Sequence, residues 1–176
     1  MQHSLFLVGL MAVGKSTIGR MLADALQMQF YDSDHEIECR AGAEIAWIFD
    51  VEGEEGFRDR EEQVIDELTR KDGVVLATGG GVVKRATNRQ MLAARGTVLH
   101  LDCPLTRLLA RTQNDKRRPL LQGEDREQVL AALQAERAPL YAEIADFRFV
   151  SDKQSSKALV GTILRELRSA GVVADA

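Results

Sequence analysis

The sequence predicts an α/β protein: a parallel sheet with helices on both of its faces. Strand-like and helical segments alternate along the chain, and the strand-like ones are unbroken apolar runs rather than apolar–polar alternations, as strands buried on both faces require. The residues of chemical interest fall in one kind of place. Gly9 to Ser16 follow the first strand, Asp32 and Asp34 end the second, and Thr78 to Gly81 end the third; in an open α/β sheet this is the crevice beyond the carboxyl ends of the strands.

The first strand is "LFLVG", and a helix begins near Lys15. In "KSTIGRMLADALQM", Ile18, Met21, Leu22, Ala25 and Leu26 keep the i, i+3, i+4, i+7, i+8 spacing of one apolar stripe. "MQFYDSD" is a short strand ending in acids, followed by helical stretches over about 34–41 and 44–70, the longer one broken near Gly53. "VVLATGGG", "GTVLHLDC" and the shorter "FRFVSD" are further strands, accompanied by helical stretches over about 85–95, 104–112, 126–145 and 155–170. The polar run "QNDKRRPLLQGED" at 113–125 reads as a long loop. With no repeat and no linker, the 176 residues are expected to form one domain around one core.

Hydrophobic residues make up 45% of the chain and charged ones 28%, with three prolines, which excludes disordered and collagen-like classes. A net charge of -4 argues against a general nucleic-acid binder and leaves any polyanion contact local. Cys39 and Cys103 fit neither a metal-ligand spacing nor a disulfide framework, and read as buried or half-buried thiols in a reducing compartment. No stretch approaches the ~18 to 20 apolar residues of a membrane span, and no signal peptide is visible. The expectation is a cytoplasmic monomer with no nucleic-acid or membrane partner.

"GLMAVGKS" satisfies G-x-x-x-x-G-K-[ST] between a strand and a helix, the context that makes this pattern a phosphate-binding loop. Its backbone N–H groups and the helix N-terminus can cradle a triphosphate, Lys15 can reach the outer phosphates, and the Ser16 hydroxyl can sit on Mg²⁺. In "YDSDHEIE", Asp32 is assigned to Mg²⁺ through its water shell. Asp34 is left for the acceptor, whose hydroxyl it can orient or deprotonate. The competing reading is helix capping, a task for which Ser33 or Asp34 would also serve.

Arg58 falls about 20° from Ile65 on a helix of about 100° per residue, at the edge of the stripe formed by Phe57, Val64, Ile65 and Leu68. A buried arginine needs a carboxylate: either a ligand's, or that of Glu54, Glu61 or Glu62. "TGGG" removes three side chains beside the phosphate loop and lets backbone approach a small ligand. Lys116, Arg117 and Arg118 could act from a closing lid or form a solvated basic loop. Arg137, in "RAPLY", is a second candidate for a substrate anion, placed where a following proline resists helix. Trp47, Phe49 and Phe57 could wall the pocket, although core packing is the expectation for the apolar "EIAWIF".

Taken in order, "GLMAVGKST", "FYDSDHEIE", "EGFRDREE", "LATGGGVV", "RPLL", "RAPLY" and "SDKQ" resemble the shikimate kinase family over essentially the whole chain. The resemblance implies a P-loop three-layer sandwich like that of nucleoside monophosphate kinases, with a five-stranded parallel sheet of order 2-3-1-4-5 flanked by helices. It implies a substrate-binding helical segment over about 33–62 and a lid over about 113–125. It also implies transfer of the γ-phosphoryl group of ATP, with one Mg²⁺, to the 3-hydroxyl of shikimate, on the route to chorismate and aromatic amino acids. The family's roles then fall as follows. Gly9, Ala12, Val13, Gly14, Lys15, Ser16 and Thr17 form the nucleotide loop, and Ser16 and Asp32 serve the metal. Asp34 is the base, Arg58 and Arg137 clamp the carboxylate, and Gly79, Gly80 and Gly81 line the ring. Arg118 reaches the phosphates from the lid, while Arg111 and Gln154 lie near the adenine. Ala12 and Leu10 depart from the family's usual Gly and Pro. The alternatives are a kinase of another small hydroxy acid such as gluconate, or a nucleotide-dependent regulatory module.

Overall fold

The computed structural model describes residues 3–115 and 125–174. Five strands, β1 (Leu5–Val8), β2 (Gln29–Asp32), β3 (Val74–Ala77), β4 (Thr97–Asp102) and β5 (Phe147–Val150), form one parallel sheet of order β2-β3-β1-β4-β5. The central β1 and β3 are buried along their whole length, while the edge strands β2 and β5 keep exposed positions. Hence the apolar runs are unbroken only in the middle of the sheet. At its edge, β5 alternates in "FRFV".

The helices are α1 (Lys15–Leu26), α2 (Ser33–Ala41), α3 (Ile45–Thr69), α4 (Ala86–Arg95), α5 (Leu105–Thr112), α6 (Arg126–Ile144) and α7 (Ser156–Ser169). A 3-10 turn at Val82–Lys84, not foreseen from the sequence, follows the glycines. In α1 the buried set is Lys15, Ile18, Gly19, Leu22 and Ala23; Ala25 faces solvent, so the stripe is turned slightly from the expected one. In α3 the helical dihedrals fail at Gly53 (φ 71°, ψ 177°), at the expected break.

Three expectations are overturned. Helix α6 runs through Pro139, and the segment around Arg137 is regular helix. Pro139 removes one i→i−4 hydrogen bond, but Leu130, Arg137, Tyr141 and Ile144 share a buried face that only the continued helix provides. Trp47 is 53% exposed, because its neighbour Ile48 takes the inward position at the start of α3. Cys39 is likewise exposed, whereas Cys103 is buried. One continuous apolar core joins the sheet to both helical layers, and the loops at the carboxyl ends of β1, β2 and β3 converge above it.

Candidate active site

The loop between β1 and α1 owes its shape to three residues with positive φ: Gly9 (152°), Ala12 (63°) and Gly14 (100°). Ala12 adopts the left-handed conformation despite its Cβ, at a cost of about 1 to 2 kcal/mol. Successive amides in such a loop form a concave anion-binding nest, and the N-terminus of α1 adds positive potential. Lys15 is buried, and its Nζ donates to the carbonyls of Gly9 and Leu10 at 2.6 Å each, which keeps the ammonium at the loop.

Ser16 Oγ donates to Asp32 Oδ2. The other oxygen, Oδ1, accepts from the N–H groups of Asp34 (3.0 Å) and His35 (3.1 Å), so Asp32 caps α2. One oxygen of Asp32 thus caps α2 while the other meets Ser16. Neither Ser33 nor Asp34 is the cap, because the extended backbone that a cap requires is that of Asp32, the last residue of β2. Ser33 instead is fully buried, and its Oγ accepts from the Gly79 N–H at 3.1 Å, tying the start of α2 to the glycine run. The hydroxyl and carboxylate that meet at Ser16 and Asp32 are both hard oxygen donors, the kind that suits Mg²⁺.

The glycines form the floor on which the charged groups close. A Cβ on Gly79 would lie 2.6 Å from Asp34 Oδ1 and 3.0 Å from Glu61 Oε2, and one on Gly81 would lie 2.3 Å from Arg58 Nη2. The same atom on Gly80 would meet Arg137 Nη1 at 3.4 Å. Two acids and two arginines therefore surround three residues of bare backbone. The cleft they line has a volume of about 690 Å³; Lys15, Ser16, Thr17 and Asp32 contribute from one side, and Ile45, Phe49 and Phe57 wall it.

Arg58 resolves the choice left open by spacing. It is 6% exposed, and its Nη1 donates to Oε1 of the fully buried Glu61 at 2.8 Å, with Nη2 at 3.4 Å from Glu54. The same guanidinium lines the cleft. Arg58 is thus internally paired and at the same time borders the cleft. Glu61 Oε2 and the Nε atoms of Arg58 and Arg137 are buried without a hydrogen-bond partner, an arrangement that leaves polar atoms at the cleft in need of one.

Burial, reinforced by the negative charges of Glu61 and Asp32, pushes the Asp34 carboxyl up to about 7, against the pull of Lys15 and Arg58. Burial likewise raises Glu61, outweighing its Arg58 partner. Two like charges crowded over Gly79 oppose each other's ionisation.

Not every expected residue joins the cleft. Gly9 and Val13 are buried within the loop and do not line the cleft. Arg111 grips the loop's outer side, with Nη1 donating to the carbonyls of Ala12 (3.1 Å) and Val13 (3.2 Å). Gln154 is exposed, and its amide closes a local turn through Val150 O (2.7 Å) and Asp152 N (3.1 Å). Neither lines the cleft. Arg118, with Lys116, Arg117 and most of the 113–125 loop, lies outside the described residues. The sequence had offered Glu61 only as a pairing partner for Arg58; its position three residues beyond Arg58, on the same buried stripe, was the signal that it faces the cleft. A second hollow of about 870 Å³ between α3 and α4 shares no residue with this one, and its cations are engaged in pairs such as Arg60–Glu52 and Arg95–Asp66.

A loop shaped for phosphates, opening onto a hollow with a high-pKa carboxyl and two buried arginines, places the molecule in a class: P-loop enzymes that move phosphoryl groups from ATP to small acceptors. The shikimate kinase family model matches residues 11–168, and the chain belongs to the shikimate kinase family of ATP-dependent kinases. It is 59% identical to Shikimate kinase 1 of Enterobacter sp. (strain 638) over 96% of this chain and 98% of that one. Identity to Shikimate kinase 1 of Yersinia pestis (strain Pestoides F) is 57% over the same shares. The shikimate kinase from Acinetobacter baumannii, solved in complex with shikimate, superposes with a TM-score of 0.94 at 46% identity, over 97% of this chain and 95% of that one. A gluconokinase from Sinorhizobium meliloti shares the fold alone, with a TM-score of 0.56 at 14% identity.

Proposed function

We propose that the chain transfers the γ-phosphoryl group of ATP to the 3-hydroxyl of shikimate, giving ADP and shikimate 3-phosphate. The observation that carries this reading is the convergence of Asp34, Arg58 and Arg137 on the glycine floor beside the phosphate loop. A small cyclic acid has a carboxylate for the arginines and a hydroxyl for the aspartate, and only bare backbone leaves room for its ring.

In this reading the loop amides and Lys15 hold the phosphates in line with the acceptor, which is most of what a loose phosphoryl-transfer transition state asks of the protein. Arg58 and Arg137 clamp the acceptor carboxylate and fix its orientation, with Glu61 holding Arg58 in place. Asp34 accepts the hydroxyl proton at a carboxylate oxygen, and a pKa near 7 suits a group that must take up and release a proton at neutral pH. Mg²⁺ arriving with ATP would neutralise phosphate charge, with Ser16 and Asp32 as its protein neighbours. Arg118 would add a cation from the lid. The segment 33–62 serves as the substrate-binding part of a single domain that works as a monomer, and two free cysteines fit a cytoplasmic location.

The test is ADP release with Mg-ATP in the presence of shikimate, gluconate or no acceptor. Release dependent on shikimate alone is expected. Release with gluconate instead would overturn the assignment of the pocket, and acceptor-independent release would overturn the transfer reaction.

A further inference from the structure

A nest that turns its N–H groups inward toward an anion must turn carbonyl oxygens outward. In this loop the outward oxygens of Ala12 and Val13 share a single donor, Nη1 of Arg111, at 3.1 and 3.2 Å. The same Nη1 lies 3.8 Å from the buried Cys103 sulfur, and Nη2 donates to Ser151 Oγ at 3.3 Å. Ser151 is itself buried and anchored, its N–H donating to the Asp102 carbonyl at 2.8 Å at the end of β4. The fork therefore links the back of the loop to the ends of β4 and β5. One of the two carbonyls belongs to Ala12, whose left-handed backbone is unfavourable for a residue with a Cβ.

We propose that Arg111 is a positioning residue for phosphate binding: its guanidinium holds the strained Ala12–Val13 peptides in the conformation that aims the loop amides at the anion. It acts through the loop and on the phosphates. The proposal rests on the reading of residues 9–17 as the ATP phosphate loop. It also explains how a chain with Ala12 keeps a loop shape that glycine would adopt freely.

The experiment measures binding of Mg-ATP and of magnesium tripolyphosphate, which has the phosphates and no base, to the parent, Arg111→Ala, Arg111→Lys and Ser151→Ala proteins. Arg111→Ala is expected to weaken both ligands five-fold or more, with KM for shikimate unchanged. Ser151→Ala should shift both in the same direction by about two- to threefold, the scale of one lost neutral hydrogen bond. It supplies the reading should Arg111→Ala fail to fold. In an Ala12→Gly background the Arg111→Ala loss should shrink, since the left-handed conformation no longer needs support. A loss confined to ATP would assign Arg111 to the adenine and overturn the proposal, as would unchanged affinity for both ligands. If the parent binds ATP but not tripolyphosphate, the proposal fails while the nucleotide site stands; if it binds neither, the phosphate-loop reading itself is overturned.

Discussion

The hydroxyl of Tyr141 donates to the carbonyl oxygen of Gly80, joining α6 to the middle of the glycine floor. The ring is almost wholly buried and lies 4.9 Å from that of His100. Burial holds the phenol well above its ordinary pKa, so it stays a neutral donor at any working pH, and Arg137 lies one turn earlier on the same buried face of α6. A single hydroxyl thus ties the glycine floor to the helix that carries Arg137.

Tyr141→Phe should therefore raise KM for shikimate about three- to tenfold, the scale of one neutral hydrogen bond, while KM for ATP stays within about twofold. Steady-state kinetics with each substrate varied in turn would check this. A general loss of stability with both KM values unchanged would place Tyr141 in the core only.

Gly79→Ala should abolish useful turnover. The new methyl carbon would stand 2.6 Å from Asp34 Oδ1 and 3.0 Å from Glu61 Oε2, displacing the proposed base from its place. A fall in kcat/KM of at least about 100-fold is expected, the effect of misplacing a reacting group by about 1 Å.

Asp34→Asn should lose activity yet gain stability at high pH. An unfolded aspartate titrates near 3.9, whereas in the folded protein Asp34 does so at about 7. Between these values the native state holds a proton that the unfolded state has released, so the aspartate's contribution to stability falls as pH rises from about 4 to about 7 and stays low above that. Thermal melts should show the asparagine variant several degrees more stable than the parent at pH 8, the difference closing by about pH 4.

Glu61→Gln should destabilise the fold by about 2 to 3 kcal/mol in denaturant melts. The exchange leaves the buried Arg58 without its closest countercharge, and the loss falls short of the ~3 to 5 kcal/mol for breaking a buried pair outright because an amide oxygen still accepts and Glu54 lies nearby.

The sheet and the phosphate loop were legible because each rests on a local signal: apolar runs at strand length, and glycine, lysine and serine at fixed spacing after a strand. The burial of Arg58 was also legible, since helical periodicity placed it beside Ile65. What Arg58 binds was not, because its partners depend on where Glu61, Glu54 and the glycine run meet in space. Arg111 shows the limit most clearly. Its long side chain can reach either a base or a backbone carbonyl from one helical position, and only the folded loop, almost 100 residues away in sequence, reveals the grip on Ala12 and Val13. Pro139 misled for a related reason: a local rule gave way to the burial of a whole helix face.

The break at Gly53 bears on how such a pocket can change over generations. In an unbroken helix Phe49 and Phe57, eight residues apart, would be displaced by about 12 Å along the axis; here their ring centres are 4.8 Å apart. The two halves of α3 thus face the same hollow from independent directions, the first bringing Ile45 and Phe49, the second Phe57, Arg58 and Glu61. Variation within residues 45–52 can reshape the apolar wall while the ionic anchor keeps its own helical frame. Acceptor preference and anion capture are therefore separable traits, free to diverge at different rates in a lineage or to be varied one at a time in a library.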